Sequence, residues 1–183
     1  MKRALLIAAF FLAGCAGGEK VPVKTYDLGA DAPGAKLPAL RAVTVRAPMP
    51  FDGVDMYYRL AFRDGTEIAS FAQSRWAAPP AELMRRQLLR ALPATLSVPC
   101  ALEIELQDFS QRFSAPEASE ARLELRAWLA TPGGRVAARS FSVAEPNAGA
   151  NAASGAGALA RAAERAISEL SGWIVAQSSC RAS

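Results

Sequence analysis

Cysteine and serine are the nucleophilic residue types in the sequence, and histidine, their usual catalytic base, is absent. The 183 residues include three cysteines, Cys15, Cys100 and Cys180, and no histidine. Without histidine the chain cannot use Ser-His-Asp or Cys-His catalysis, an imidazole acid–base step or His-ligated zinc. No serine lies in a G-x-S-x-G elbow. We therefore expect a protein that is not an enzyme and that holds no metal or cofactor.

Cys15 follows a segment typical of a bacterial secretory signal. Met1-Lys2-Arg3 is a short positive stretch, and residues 4–13 form an apolar run that is too short to span a bilayer. The ending Leu12-Ala13-Gly14-Cys15 resembles the bacterial lipobox, in which the cysteine thiol receives diacylglycerol and the chain is cut before it. We predict a lipoprotein signal peptide at 1–14 and lipidation of Cys15; the alternative is an ordinary signal peptide with an incidental cysteine.

The residues after Cys15 indicate where the anchored protein would reside. Residues 15–24 carry Gly, Pro and charged side chains without periodicity, which predicts a lipidated tether. Two or three acyl chains give a durable membrane anchor. Ala16 stands where Gram-negative inner-membrane lipoproteins usually carry Asp, so the signal resembles an outer-membrane address. We expect attachment to the periplasmic face of the outer membrane, with the inner membrane as the less favoured alternative.

Cys100 and Cys180 remain as an even pair once Cys15 carries lipid. In an oxidising compartment such a pair predicts a disulfide, and two free thiols are the alternative. Cys100 precedes a predicted strand and Cys180 follows the last predicted helix. The two side chains can therefore meet only if those two element ends lie together.

Composition and charge favour a globular domain without a nucleic-acid partner. Hydrophobic residues make up 51% and charged residues 21%, which is a folded rather than a disordered balance. Loss of Lys2 and Arg3 with the signal would leave 19 basic and 17 acidic side chains. No long basic run accompanies this near-neutral balance, so we expect no nucleic-acid binding.

Apolar periodicity predicts strands and one helix in the first half of the domain. Alternating or β-branched segments predict strands at 26–28, 41–46, 56–62 and 67–72, the last two joined by an Asp64-Gly65 turn. The apolar stripe that follows Pro79-Pro80 predicts a helix that ends or kinks at Pro93.

The second half predicts three strands and a final helix. Alternation at 101–107, extending through Phe113, at 121–130 and at 135–144 predicts an antiparallel meander, with a bulge in the last strand. Residues 145–157 are small and predict a flexible connection to a helix at about 158–177, with Ser154 as a cap. The expected fold is α+β: an antiparallel sheet of about five to six strands with two amphipathic helices on one face, forming a single domain at 25–180.

Four side chains are candidates for a partner surface. Arg85 and Arg86 form a small basic patch that suits phospholipid headgroups or an acidic partner, with a solvated helix face as the alternative. Trp76 precedes the helix, and Trp128 lies on the strand face opposite Leu125 and its inward neighbours. Large exposed aromatics mark interfaces, although packing in the core is the alternative for each tryptophan.

The order of these features resembles the ABC-type transport auxiliary lipoprotein family, of the paraquat-inducible protein C type. The resemblance covers nearly the whole mature chain and rests on the order of its pieces rather than on any single motif. Those pieces are the lipobox at Cys15, Thr25-Tyr26-Asp27-Leu28, the Val-rich strand at 43–45, Arg75-Trp76-Ala77 before Leu83-Met84-Arg85-Arg86-Gln87-Leu88, Leu106-Gln107-Asp108-Phe109, and a terminal helix with Ala163 and Leu170.

The resemblance implies a non-catalytic accessory of an intermembrane transport system. Such lipoproteins accompany ABC permeases and ATPases and mammalian-cell-entry (MCE) domain proteins, which are thought to move phospholipid or other hydrophobic molecules between membranes. The lipoprotein would dock that assembly at the outer membrane, as a homo-oligomeric ring in one arrangement. The competing hypotheses are an outer-membrane assembly or structural lipoprotein without a transporter partner and, far less favoured, a small periplasmic hydrolase.

Overall fold

The computed structural model describes residues 21–31, 33–93, 100–147 and 149–180. The elements, in chain order, are β1 (Lys24–Tyr26), β2 (Ala42–Arg46), β3 (Asp55–Leu60), β4 (Ala69–Trp76), α1 (Pro80–Ala91), β5 (Ala101–Ala115), β6 (Ala118–Thr131), β7 (Gly134–Asn147) and α2 (Ala152–Val175), followed by a 3₁₀ turn at Ser178–Cys180. The predicted signal peptide and most of the predicted tether lie outside the described residues.

The predicted antiparallel meander forms the longest part of the sheet. β5, β6 and β7 have 15, 14 and 14 residues, and each adjacent pair is antiparallel. The β6–β7 turn uses Gly134 at φ 120°, a conformation that favours glycine. β7 contains a bulge, as predicted, but the bulge lies at Val136 and not between Ala138 and Phe141, because Leu129 pairs with Ala137 whereas Ala130 pairs with Arg135. The alternation in the sequence thus located all three strands.

The sheet as a whole is mixed, which corrects the antiparallel arrangement expected from the sequence. It has seven strands in the order β1-β4-β3-β5-β6-β7, with β2 also paired to β5. β2 and β3 lie end to end along one edge of β5, and both run parallel to it. β1 runs parallel to β4. A parallel pair needs a long crossover, and the path through β4 and α1 supplies it between β3 and β5.

Both helices cover the same face of this sheet, as the sequence predicts. α1 packs beside β2, whereas α2 lies across β6 and β7 and touches α1. The inward side chains of β6 alternate with outward ones, and all four are fully buried: Leu123, Leu125, Ala127 and Leu129. They meet a helix stripe that is rich in alanine, so α2 can approach the strands closely.

The start of α2 differs from the sequence prediction. The helix begins at Ala152 rather than near residue 158, and its N-cap is Asn151, whose side chain accepts a hydrogen bond from the Ser154 backbone N–H. Ser154 therefore lies inside the first turn and is not the cap. The small residues that suggested a flexible connection belong to the helix because Ala152 and Ala156 are buried against the sheet.

A buried glutamine and a glycine fix how the first turns of α2 sit on the sheet. Gln111 of β5 is 1% exposed, and its amide donates to the hydroxyl of Ser119 at 2.8 Å. Its Oε1 atom lies so close to Gly155 that a Cβ added there would overlap it. Gly155 is thus required by close approach, whereas a Cβ on Gly157 would meet nothing nearer than 3.9 Å.

Replacing Gly155 by alanine is expected to destabilise the protein. The added methyl group forces either Gln111 or the helix to move, and overpacking of this kind costs about 1–3 kcal/mol. The matched variant Gly157→Ala is expected to be neutral or to stabilise by up to about 1 kcal/mol, since alanine is the better helix former. Urea unfolding of both variants measures the difference. Equal stabilities of the two variants would contradict the packing described.

Candidate partner-binding surface

Neither a metal centre nor a membrane-spanning helix is found in the part of the chain that the structure describes. Within residues 21–31, 33–93, 100–147 and 149–180, no group of three or more His, Cys, Asp or Glu side chains is placed to hold a metal ion. No helix in these ranges is long and apolar enough to cross a bilayer.

The face of the sheet turned away from α1 and α2 is formed by the outward side chains of β2, β5, β6 and β7. We call it the open face. Its cross-strand neighbours follow from the pairing: Thr44 lies beside Glu103, and Glu103 beside Trp128. The next row places Arg46, Glu105 and Arg126 side by side. The open face is therefore charged, with one large aromatic ring among its charges.

Trp128 lies between two guanidinium groups on the open face. The Cζ atom of Arg135 is 4.4 Å from the centre of the indole ring, and that of Arg126 is 5.3 Å from it. Arg135 also donates two hydrogen bonds to Oε2 of Glu103, at 2.7 and 3.0 Å. Cation–π contacts at exposed sites contribute about 0.5–1 kcal/mol each. These contacts hold the partly buried ring in one place.

The remaining charges of the open face are mostly paired. Arg46 binds Oε2 of Glu105 at 2.7 Å. Among the described residues Arg126 forms no ion pair, so it is the cation beside Trp128 that is left for an outside carboxylate or phosphate. Exposed ion pairs contribute only about 0–1 kcal/mol to stability. Their effect here is to arrange charge around the tryptophan.

Trp76 does not lie on any surface, which corrects its assignment to a partner surface. Its side chain is 2% exposed, and its ring packs edge-on against Phe109 at 5.3 Å. Its backbone N–H donates to the carbonyl of Val54 at 2.7 Å, which fixes the end of β4 beside β3. The tryptophan therefore belongs to the hydrophobic core, in the same cluster as Phe109 of β5 and Met84 of α1.

Arg85 and Arg86 are on the solvent side of α1, separate from the open face. Both guanidinium groups bind the carboxylate of Glu82, at 2.8 and 2.9 Å. The hydrogen bonds from Arg85 and then Arg86 lower the pKa of Glu82 to about 2. One negative charge is therefore held against two positive charges, and this patch is less cationic than the sequence suggests.

The ion pairs of Glu82 predict a pH-dependent contribution to stability. Because the pKa of Glu82 falls from 4.5 to about 2 on folding, its contribution is present above pH 4.5 and is lost as the pH falls toward 2. Glu82→Gln is expected to lower the melting temperature slightly at pH 7 and not at all near pH 2. Circular dichroism melts across this range measure it, with the exposed Glu117→Gln as the control. A difference that is constant with pH would contradict the ion-pair assignment.

The structure brings Cys100 and Cys180 together, whereas Cys15 lies outside the described residues. The two sulfur atoms are bonded at 2.01 Å, and the Cα atoms are 5.3 Å apart. Cys100 directly precedes β5 and is fully buried, and Cys180 ends the 3₁₀ turn after α2. The bond therefore joins the end of the last helix to the start of the central strand, which is the proximity that the predicted bridge requires.

Loss of this bridge is expected to lower the free energy of unfolding substantially. The sequence separation is 80 residues, and a loop of that size corresponds to a chain-entropy contribution of up to about 4.5 kcal/mol. A Cys100→Ser/Cys180→Ser double variant should unfold at lower urea concentration than the oxidised parent. Adding a reductant should lower the stability of the parent and leave that of the variant unchanged. Equal stabilities in oxidising buffer would show that the bridge does not form.

The sequence reasoning missed the partners that surround Trp128. From the sequence alone, Arg135 belongs to a predicted return strand, and nothing in that pattern predicts its contact with Trp128. A signal was present: the Thr131-Pro132-Gly133-Gly134 turn brings residue 135 back beside β6, close to Trp128. Without the register of the hairpin, however, the alternation alone could not assign that contact.

The mixed sheet with two helices on one face defines an α+β domain of a known class. The family model for the ABC-type transport auxiliary lipoprotein component matches residues 26–175, and the chain belongs to this family. The resemblance inferred from the sequence is thereby confirmed. The protein is an auxiliary component associated with ABC-type transport and with the cell envelope.

Two solved structures share the fold at low sequence identity. A Xanthomonas campestris protein of the DUF330 family is 22% identical, with a TM-score of 0.64 over 83% of this chain and 91% of its own. A second crystal structure, of an uncharacterized protein, is 15% identical, with a TM-score of 0.63 over 84% of this chain and 99% of its own. No curated protein matches the chain. The structural likeness supports the architecture alone.

Proposed function

We propose that the protein is a lipid-anchored, non-catalytic docking component of an ABC-type system that moves lipid or another hydrophobic substrate between membranes. In this proposal Cys15 carries the lipid, the anchor lies in the outer membrane, and the domain faces the periplasm. Its partners are the MCE-domain protein of the system and, through it, the permease and ATPase. The single observation that supports docking best is the partly buried Trp128, held between Arg126 and Arg135 on a sheet face that neither α1 nor α2 covers.

The chemistry of this surface fits a protein partner. Tryptophan and arginine are the residue types most enriched among side chains that dominate binding energy. Arg135 is fixed by Glu103, so the ring and its cations lose little conformational freedom on binding. Arg126 supplies a cation for a partner carboxylate. A complementary surface therefore combines an apolar recess for the indole ring with an acidic side chain beside it.

A Trp128→Ala variant tests this assignment directly. Removing the ring is expected to reduce recovery of the MCE-domain and ABC proteins in mild-detergent purification from native envelopes by about tenfold, corresponding to roughly 1.4 kcal/mol. Leu89→Ala is the control because Leu89 is a large apolar residue, 42% exposed, on α1 and away from the open face. Quantitative mass spectrometry of both eluates, normalised to the amount of bait, gives the ratio.

The same purification separates the competing functions. If the parent chain recovers only outer-membrane assembly or cell-wall proteins, the structural-lipoprotein alternative replaces the transport proposal. If the transport proteins are recovered equally with parent and Trp128→Ala, the function stands and the docking surface lies elsewhere. Equal losses with Leu89→Ala and Trp128→Ala would indicate a general loss of folded protein, which the melting temperature of each purified variant checks.

A further inference from the structure

The strand directions fix the end of the molecule at which the membrane tether joins. β1 runs parallel to β4, so the chain enters β1 from the end where β4 begins. β3 and β4 are antiparallel, which places their connecting hairpin at this end as well. Through the pairing of the other strands, the β5–β6 turn and the β7–α2 connection lie there too. We call this the tether end.

Val21 supports the same placement independently. It lines a shallow depression of about 630 Å³ together with Gln73 of β4 and Ala152 at the start of α2. The β1–β4 register, continued backwards from Lys24 opposite Ser74, brings Val21 level with Phe71. The hairpin that connects β3 to β4 precedes Ala69, so its turn projects past Val21 in the direction from which the tether arrives.

The turn of this hairpin presents an aromatic ring and a cation to solvent. Phe62 is 39% exposed, and the guanidinium group of Arg63 lies 5.6 Å from the centre of its ring. The turn is held by hydrogen bonds from the backbone N–H groups of Arg63 and Asp64 to the carbonyl of Leu60, at 2.8 and 3.0 Å. The exposed ring therefore lies on a turn that is held by backbone hydrogen bonds.

Exposed apolar side chains accompany Phe62 at the tether end. Val21 and Val23 are 55% and 46% exposed and lie in the last part of the predicted tether, directly before β1. The six residues from Cys15 to Lys20 span at most about 20 Å when fully extended. A lipid on Cys15 would thus keep this end of the domain within about 20 Å of the bilayer surface, and the hairpin turn projects toward that surface.

We propose that the Phe62-Arg63 turn contacts the phospholipid layer in which the protein is anchored and orients the domain on the membrane. The proposal rests on the lipid anchor at Cys15 described under the proposed function. Phe62 enters the boundary between headgroups and acyl chains, where aromatic rings are favoured, and Arg63 reaches a headgroup phosphate from the same turn. The open face around Trp128 then lies toward the far end of the long meander, turned to the periplasm.

The charges on the hairpin indicate whether electrostatic attraction or insertion of the aromatic ring drives the membrane contact. Asp64 and Glu67 accompany Arg59 and Arg63, so the turn carries no net positive charge. The exposed Asp64 carboxylate accepts hydrogen bonds from the Thr66 hydroxyl and backbone N–H within the turn, at 2.6 and 2.8 Å. Insertion of the ring must therefore supply the attraction, and the contact is expected to persist at high salt.

Tryptophan reporters in the lipidated full chain test the proposal. Phe62→Trp and, as the matched control, Val136→Trp are purified from membranes and reconstituted into phosphatidylethanolamine–phosphatidylglycerol vesicles that contain brominated acyl chains, which quench nearby tryptophan. Val136 is 46% exposed and lies just after the β6–β7 turn, at the opposite end of the sheet. The parent chain gives the background from its three native tryptophans.

Quenching of Phe62→Trp is expected to exceed that of the parent at least twofold and to remain in about 0.5 M salt, whereas Val136→Trp should match the parent. Vesicle flotation and mass spectrometry of the Cys15 peptide are recorded on the same samples. Flotation without extra quenching at position 62 overturns the membrane contact and leaves the anchor intact. Equal quenching at positions 62 and 136 overturns the orientation. A chain without lipid on Cys15 overturns the anchor, and the contact with it.

Discussion

The packing of α2 against the β5–β6–β7 meander is the interaction on which the rest of the structure depends. The helix presents mostly alanine to the strands, so it lies close to them, and Trp173 then packs edge-on against Phe141 at 5.8 Å. Close packing of small against large side chains leaves no room for an extra methyl group, as the contact between Gly155 and Gln111 shows. Because α2 and α1 take the same face, neither of these two helices covers the opposite face of the sheet.

The two faces of the sheet contribute differently to the stability of the domain. The covered face holds the aliphatic core, including Ile104 and Ile167, and the bridge from Cys100 to Cys180 ties its helix to the sheet. The open face contributes little to stability, since its ion pairs are exposed. Substitutions on that face therefore change the free energy of unfolding little, so its side chains can serve binding without a loss of stability. Trp128 can remain partly exposed there because charged side chains surround it and keep the face compatible with water.

The mixed topology gives the domain two distinct ends. β5 has 15 residues, which corresponds to about 50 Å, and β2 and β3 share one of its edges by following one another. Val21 enters at one end of this length, beside the start of α2. The disulfide and the β6–β7 turn lie at the other end. With the proposed lipid on Cys15, a domain of this shape would hold its far end well away from the membrane.

Alternation and helical periodicity in the sequence determined the strands and helices, the outward position of Trp128 and the buried faces of the helices. They could do so because the residues on one buried side of a strand or helix recur at a fixed spacing in the sequence. Strand direction was decided only by the tertiary structure, since alternation reports which face is buried and not which strand lies beside it. Burial of Trp76 and the sandwich of Trp128 between Arg126 and Arg135 likewise depend on contacts between elements. Those contacts form only when the crossover between β3 and β5 is in place and the register of the paired strands is fixed.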